Sequence, residues 1–202
     1  MQNLSGLVGR SRQFELDHVL ECAMREFWRK GYSATSMPML ETAMGINRQS
    51  LYDTFKSKRD LHLRVLEYYH ENVIKTNFSR IESASSPRQG IIIYFQMRAK
   101  EALTDSEIKG CLVTNSIAEL ALHDKEVAVQ TNKTLQYMKS VFKQALGRGQ
   151  KLDEIRQDMD IDDTASFLVN CAQGLFITSK MPTSIASVEG MVAQIKLILR
   201  SD

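Results

Sequence analysis

The stretch GINRQSLYDTFKSK, residues 45–58, decides how this chain reads. Asn47 is a good N-cap, and the Lys56-Ser57-Lys58 break follows soon after, so any helix between them has only about two turns. A helix that short is marginal in water and must be held by its neighbours. Leu51 and Phe55, spaced i, i+4, give it one anchoring face. Its first turn carries Arg48, Gln49 and Ser50, three polar residues that burial alone would not select.

The flanking sequence supplies the neighbours. Leu16, Leu20, Ala23 and Phe27 recur at helical spacing in a first helix of roughly 12–30, which ends at Gly31. A second helix begins near Ser36, tolerates Pro38 in its first turn, turns Met37, Leu40 and Ala43 inward and stops at Gly45. Ser57 caps a fourth helix bearing Leu61, Val65, Tyr68 and Ile74. Two short helices joined by three or four residues after a glycine, on an apolar spine, describe a helix-turn-helix. In that motif the start of the second helix meets base edges in the major groove, where Arg forks onto guanine and Gln onto adenine. Tyr52, Lys56 and Lys58 flank the tip as phosphate contacts. Charge agrees in sign: residues 1–60 hold nine Lys and Arg against seven Asp and Glu, whereas 61–202 are balanced at seventeen each. Arg48, Lys56, Lys58 and Arg59 against Asp53 give 45–59 a charge of +3, with Arg10 and Arg12 ahead of the first helix.

Composition narrows the rest. The 202 residues are 43% hydrophobic and 25% charged with three prolines, which describes a soluble, helix-rich protein. No apolar run approaches the roughly 20 residues of a membrane span, and the start has no secretory core. Three sparse cysteines, Cys22, Cys111 and Cys171, fit a reducing cytoplasm. There is no phosphate-binding glycine loop or nucleophile elbow, and the four histidines form no motif, so no enzyme and no cofactor is expected. His18 and Cys22, spaced i, i+4, lack a third ligand, so no metal site is expected.

After a linker-like SASSPRQG at 83–90, helices are expected over about 88–103, 109–122, 124–147 and 162–180, with a last one from Val188 to Leu199. GRGQKLDEIRQDMD, 147–160, reads as a polar connection. The fold expected is all-α, with about nine helices. In the eighth, Ala165, Leu168, Ala172 and Leu175 form one stripe, while Phe167, Val169, Cys171, Phe176 and Ile177 cover most of the other side, the pattern of a helix buried on two sides. Tyr94, Phe95, Met97, Tyr137, Met138, Phe142 and Phe176 line an apolar pocket or fill plain core. Cys111 opens the sixth helix beside Lys109, where a thiol is either activated or simply packed.

Residues 23–61 also carry a resemblance. Phe27, Gly31-Tyr32, Thr35-Ser36, Gly45-Ile46, Leu51-Tyr52, Phe55, and Lys58 followed by Leu61 are similar at fixed spacings to the N-terminal domain of the tetracycline-repressor (TetR) family of bacterial transcription regulators. The resemblance implies a helix-turn-helix domain over 1–60, with an arm at 1–11, and an effector-binding and dimerisation domain over 61–202. It places Thr35, Ser50, Tyr52 and Lys58 on phosphates and Arg48 and Gln49 on bases. Ser36, Lys56, Arg10 and Arg12 complete the expected DNA-contacting set. The partners implied are a palindromic double-stranded DNA operator, a small-molecule effector and a second copy of the chain. The effector pocket is drawn from Tyr94, Met97, Cys111, Asn115, Met138, Phe142 and Phe176, and the dimer interface from Leu168, Ala172, Leu175, Val188, Met191 and Ile195. Pro38 and the large Arg48-Gln49 pair depart from many members, so operator preference does not transfer. The competing reading is an all-helical ligand carrier or interaction module that keeps the helix-turn-helix as scaffold; the polar tip discriminates, since a scaffold has no use for it.

Overall fold

Three polar side chains set the boundaries of the first four helices. Ser36 Oγ accepts the Met39 N–H at 3.4 Å, Asn47 Oδ1 the Ser50 N–H at 2.9 Å, and Ser57 Oγ the Asp60 N–H at 3.0 Å, each satisfying a donor that a helix start leaves orphaned. The computed structural model describes residues 5–104, 110–181 and 185–201, and among them every element is helical. Helix α1 is Ser5–Lys30, α2 Met37–Met44 and α3 Arg48–Thr54. Helix α4 begins as Lys58–Tyr69, passes through a π turn at His70–Ile74 and continues as Lys75–Glu82. Then follow α5 Pro87–Ala102, α6 Leu112–Leu120, α7 Lys125–Lys151, α8 Ile161–Thr178 and α9 Ile185–Ile198.

Two boundaries differ from the sequence reading. Helix α1 opens at Ser5, so part of the expected arm is helical; Gly6 and Gly9, each about 1 kcal/mol worse than Ala in a helix, hid this. Helix α7 continues through Gly147 and Gly149 to Lys151, into the stretch that read as a connection. The reason is packing: a Cβ at Gly149 would stand 2.6 Å from Ile155 Cδ1, so the glycine lets the returning chain close over the helix end. The N–H groups of Glu154 and Ile155 both reach the Gly149 carbonyl, at 2.9 and 3.3 Å.

One apolar cluster runs from Leu20 to Leu199, and α4 is the element that joins its ends. The first half of α4 packs on α1 and α6, and its second half on α5 and α7. Helix α7 caps it, with Arg148 donating to the Ile81 carbonyl at 2.9 Å and to that of Glu82 at 2.5 Å. Helix α8 lies against α5 and α7, and α9 lies on α5.

Candidate nucleic-acid interface

Helix α3 is held by two side chains and presents the rest. Leu51 and Phe55 are buried, whereas Arg48, Gln49, Ser50, Tyr52 and Lys56 are exposed, as is Ser36 at the head of α2. Gly45, at φ +66°, makes the left-handed turn that brings α3 off the end of α2. Within α3 the exposed side chains are ordered along the helix. The Gln49 Nε2–H donates to Asp53 Oδ1 at 2.8 Å, and the Arg48 guanidinium lies 5.6 Å from the centroid of the Tyr52 ring. An exposed guanidinium and an exposed amide, one residue apart at the start of a two-turn helix, are side-chain types able to pair with base edges.

Two of the expected phosphate contacts are engaged within the chain. Lys58 is half-buried, and its ammonium donates to the carbonyls of Tyr32 at 3.0 Å and Thr35 at 2.9 Å while lying 4.3 Å from the Tyr32 ring centroid. Thr35 is fully buried, with its hydroxyl donated to the Gly31 carbonyl at 2.7 Å. Both serve the loop after α1, whose carbonyls need donors where the helix ends. Arg59 is also engaged, forking onto Asp124 at 2.6 and 2.8 Å and reaching Glu126 at 3.2 Å. Of the four cations at 45–59, Arg48 and Lys56 remain facing outward. Arg10 and Arg12 lie on α1, their side chains outside the described residues.

The α1–α2 loop is gripped from the other half of the chain, which the sequence did not signal. Glu119 of α6 accepts the N–H of Tyr32 at 3.2 Å and of Ser33 at 2.9 Å. Gly31, at φ +81°, supplies the left-handed backbone there, and a Cβ would press on the Glu119 carboxylate at the far end of its side chain. Trp28 Nε1 donates to the Gly110 carbonyl at 3.3 Å, and its ring stands edge-on to Tyr69 at 5.0 Å. His62 is buried between Phe27 and Tyr32, and its Nε2 is 3.1 Å from Ser116 Oγ. Ser116 donates to the Leu112 carbonyl at 2.8 Å, which leaves its oxygen to accept from His62 Nε2, and no partner among the described residues meets the buried His62 Nδ1. Burial pushes the His62 pKa down to about 4. Helix α6 and its flanks therefore clasp the helix-turn-helix and the start of α4 at four points: Gly110 just before it, Ser116 and Glu119 within it, and Asp124, the N-cap of α7.

The expected effector pocket is largely filled. Met138 and Phe142 are fully buried, and Phe142 stacks on Phe95 at 5.9 Å while Phe78 and Tyr94 meet it edge-on at 5.2 and 5.7 Å. Rings at these distances leave the centre as core. Asn115 is buried, and Phe176 is half-buried. The Cys111 thiol is buried at 2% exposure and accepts the Tyr69 hydroxyl at 3.5 Å; Lys109 lies outside the described residues. Tyr94 and Met97 do border a cavity, on the outer side between α4 and α5. His18 Nε2 and Cys22 Sγ are 3.8 Å apart, without a third ligand among the described residues.

The residues expected at the dimer interface are mostly taken up by the chain itself. Leu168, Ala172, Leu175, Val188 and Ile195 are buried within the chain's own core, and Met191 is half-buried. Both sides of α8 are apolar, but only one faces inward. Its outer side exposes Phe167 at 41% and Ile177 at 52%, with open space at Gly174, and α9 exposes Leu197 at 55%.

Comparison with known proteins places these features. Residues 19–65 match the family model of bacterial regulatory proteins of the tetR family, and 95–195 match the tetracyclin repressor-like C-terminal domain. The chain is 32% identical to the HTH-type transcriptional regulator YezE of Bacillus subtilis, across 92% of this chain and 96% of that one. It is 28% identical to the HTH-type transcriptional repressor ComR of Escherichia coli, across 88% and 85%. Among solved structures it resembles the TetR family regulator CifR, a cysteine mutant complexed with 26-bp double-strand operator DNA, at a TM-score of 0.76 and 25% identity over 90% of this chain and 95% of that one.

Proposed function

This chain belongs to the TetR family of bacterial transcriptional regulators, and from that premise we propose that it is a dimeric repressor which α3 docks, two copies at a time, onto a palindromic operator. The observation that carries the reading is the exposed Arg48-Gln49-Ser50 tip on a helix held only by Leu51 and Phe55. The similarity to the ComR repressor and to CifR on operator DNA supports it. Arg48 and Gln49 read bases; Lys56, Tyr52, Ser50 and Ser36 meet the backbone. Two reading helices must stand about 34–36 Å apart to enter successive major grooves, so a rigid pairing of two copies is part of the function. The outer faces of α8 and α9, around Phe167, Gly174, Ile177 and Leu197, are the pairing surface, since they leave apolar area open beside a small-residue gap.

Release follows from the α6 clasp. Whatever displaces α4 or α6 pulls on Glu119, Arg59 and Trp28 together, and changes the spacing of the two reading helices without touching Arg48. An effector must bind the released state more tightly to do so; equal affinity for both states shifts nothing. The test is retention of fragments from the source genome on the purified protein at two salt concentrations. Specific fragments that survive the higher salt support the reading; uniform loss of all fragments refutes it.

A further inference from the structure

The cavity between the second half of α4 and α5 has a volume of about 300 Å³, at the lower end for small-molecule sites. Its wall is apolar along Ile93, Tyr94 and Met97, and it carries two arginines, Arg80 and Arg98, with no carboxylate among its described lining residues. Arg98 is mostly buried, at 13% side-chain exposure. Its guanidinium lies 5.9 Å from the Tyr94 ring centroid, and one terminal nitrogen is taken by Glu101 at 2.5 Å. Its Nε–H is buried with no hydrogen-bond partner among the described residues. A buried guanidinium donor left unmet is costly, and a small turn of the Arg98 side chain toward the cavity it lines would let an acceptor there meet it. Arg80 is exposed, and its Nη1 is 3.2 Å from Met97 Sδ, a weak acceptor that an oxygen would displace.

We propose that this cavity binds a small apolar carboxylate, its charge held by Arg98 and Arg80 and its hydrocarbon body laid along Ile93, Tyr94 and Met97. A fork of charged donors suits a carboxylate, and the apolar wall selects against inorganic anions, which bring nothing to bury. The inference rests on the regulator reading and names the chemical class of its effector. The geometry fits that role, because one wall of the cavity belongs to the helix whose other half carries Lys58 and Arg59. A body wedged there bears on α4 beyond its π turn, a local break in regular hydrogen bonding where the helix can yield.

Octanoate is the probe, with octanamide as its uncharged analogue, titrated calorimetrically into the full chain. Octanoate is expected to bind at least tenfold more tightly than octanamide. Arg98→Gln and Arg80→Gln should each weaken octanoate at least fivefold and leave octanamide unchanged; Arg80 is exposed, so its variant tests the site without disturbing the fold. Absence of octanoate binding, equal binding of acid and amide, or wild-type affinity in both variants would overturn the site. In the same preparations, saturating octanoate should lower operator affinity at least tenfold, and an unchanged affinity would overturn its assignment as effector class. Operator binding without octanoate binding sinks the site and leaves the regulator reading; octanoate binding by a protein that retains no DNA does the reverse.

Discussion

Lys56 and Lys58 are two residues apart and carry the same charge, yet their surroundings differ. Lys58 is tied to the carbonyls of Tyr32 and Thr35; Lys56 points outward. The expected outcomes therefore separate. Lys56→Ala should leave stability within about 0.5 kcal/mol and flatten the dependence of log affinity on log salt by about 0.9 for each copy on the duplex. Lys58→Met should cost about 1.5–3 kcal/mol of stability in urea titrations, the scale of charged hydrogen bonds, with an unchanged salt slope among folded molecules. Equal salt slopes for the two variants would show that Lys58 leaves its carbonyls to contact DNA. The difference was not legible in the sequence, which gives the charge of a lysine but not the carbonyls within its reach. Arg48 and Gln49 were legible because the i, i+4 spacing of Leu51 and Phe55 fixes which face of α3 is free.

At the scale of elements, α6 is a short helix with a long reach. Its contacts with the helix-turn-helix include a buried neutral histidine, which makes the clasp sensitive to acid. The sign follows from the pKa values: His62 titrates near 4 in the folded chain and near 6.5 when unfolded, so below pH 6.5 the unfolded state takes up a proton that the folded state refuses. Stability from this residue is complete above pH 6.5 and falls by about 3 kcal/mol on going down to pH 4. Urea unfolding of wild type and His62→Gln at pH 7.5 and 4.5 isolates it. The variant should lose markedly less stability than wild type over that interval; parallel losses would place the titration elsewhere. Gly31→Ala tests the other end of the clasp, and should destabilise by about 1–2 kcal/mol through its left-handed backbone. A wild-type melting temperature would contradict that geometry. The caps at Asn47 and Ser57 could be read from sequence, because capping is local chemistry. The grip of Glu119 on the Tyr32 and Ser33 N–H groups joins residues 86 and 87 positions apart, and no local pattern encodes it.

At the scale of the whole molecule, the sequence showed an apolar α8 but not which side faces the protein's own core, since Leu168 and Phe167 are equally hydrophobic. Packing decides it, with Leu168 wholly buried and Phe167 at the surface. Substitutions on the outer face should therefore separate copies without unfolding them. Phe167→Glu and Gly174→Arg are expected to sediment as folded monomers that no longer hold operator DNA, because each copy then lacks its second half-site and a charge is stranded in the contact. A dimer that persists in both variants would move the pairing surface away from α8. The α7 extension belongs here too, since Gly147 and Gly149 punctuate the sequence as breakers while Ile155 needs the space that Gly149 leaves.

Selection of bound duplexes from a random-sequence pool, carried out in parallel with wild type and Arg48→Ala, addresses the reading role of α3 most directly. Wild type should enrich two-fold symmetric sites whose half-sites are centred about one helical turn, or a multiple of it, apart. Arg48→Ala should keep the symmetry, lose preference at one base pair in each half-site, and bind the wild-type site about 1–3 kcal/mol more weakly for each lost base contact. Enrichment of asymmetric sites, or an identical motif from both proteins, would contradict base reading by Arg48.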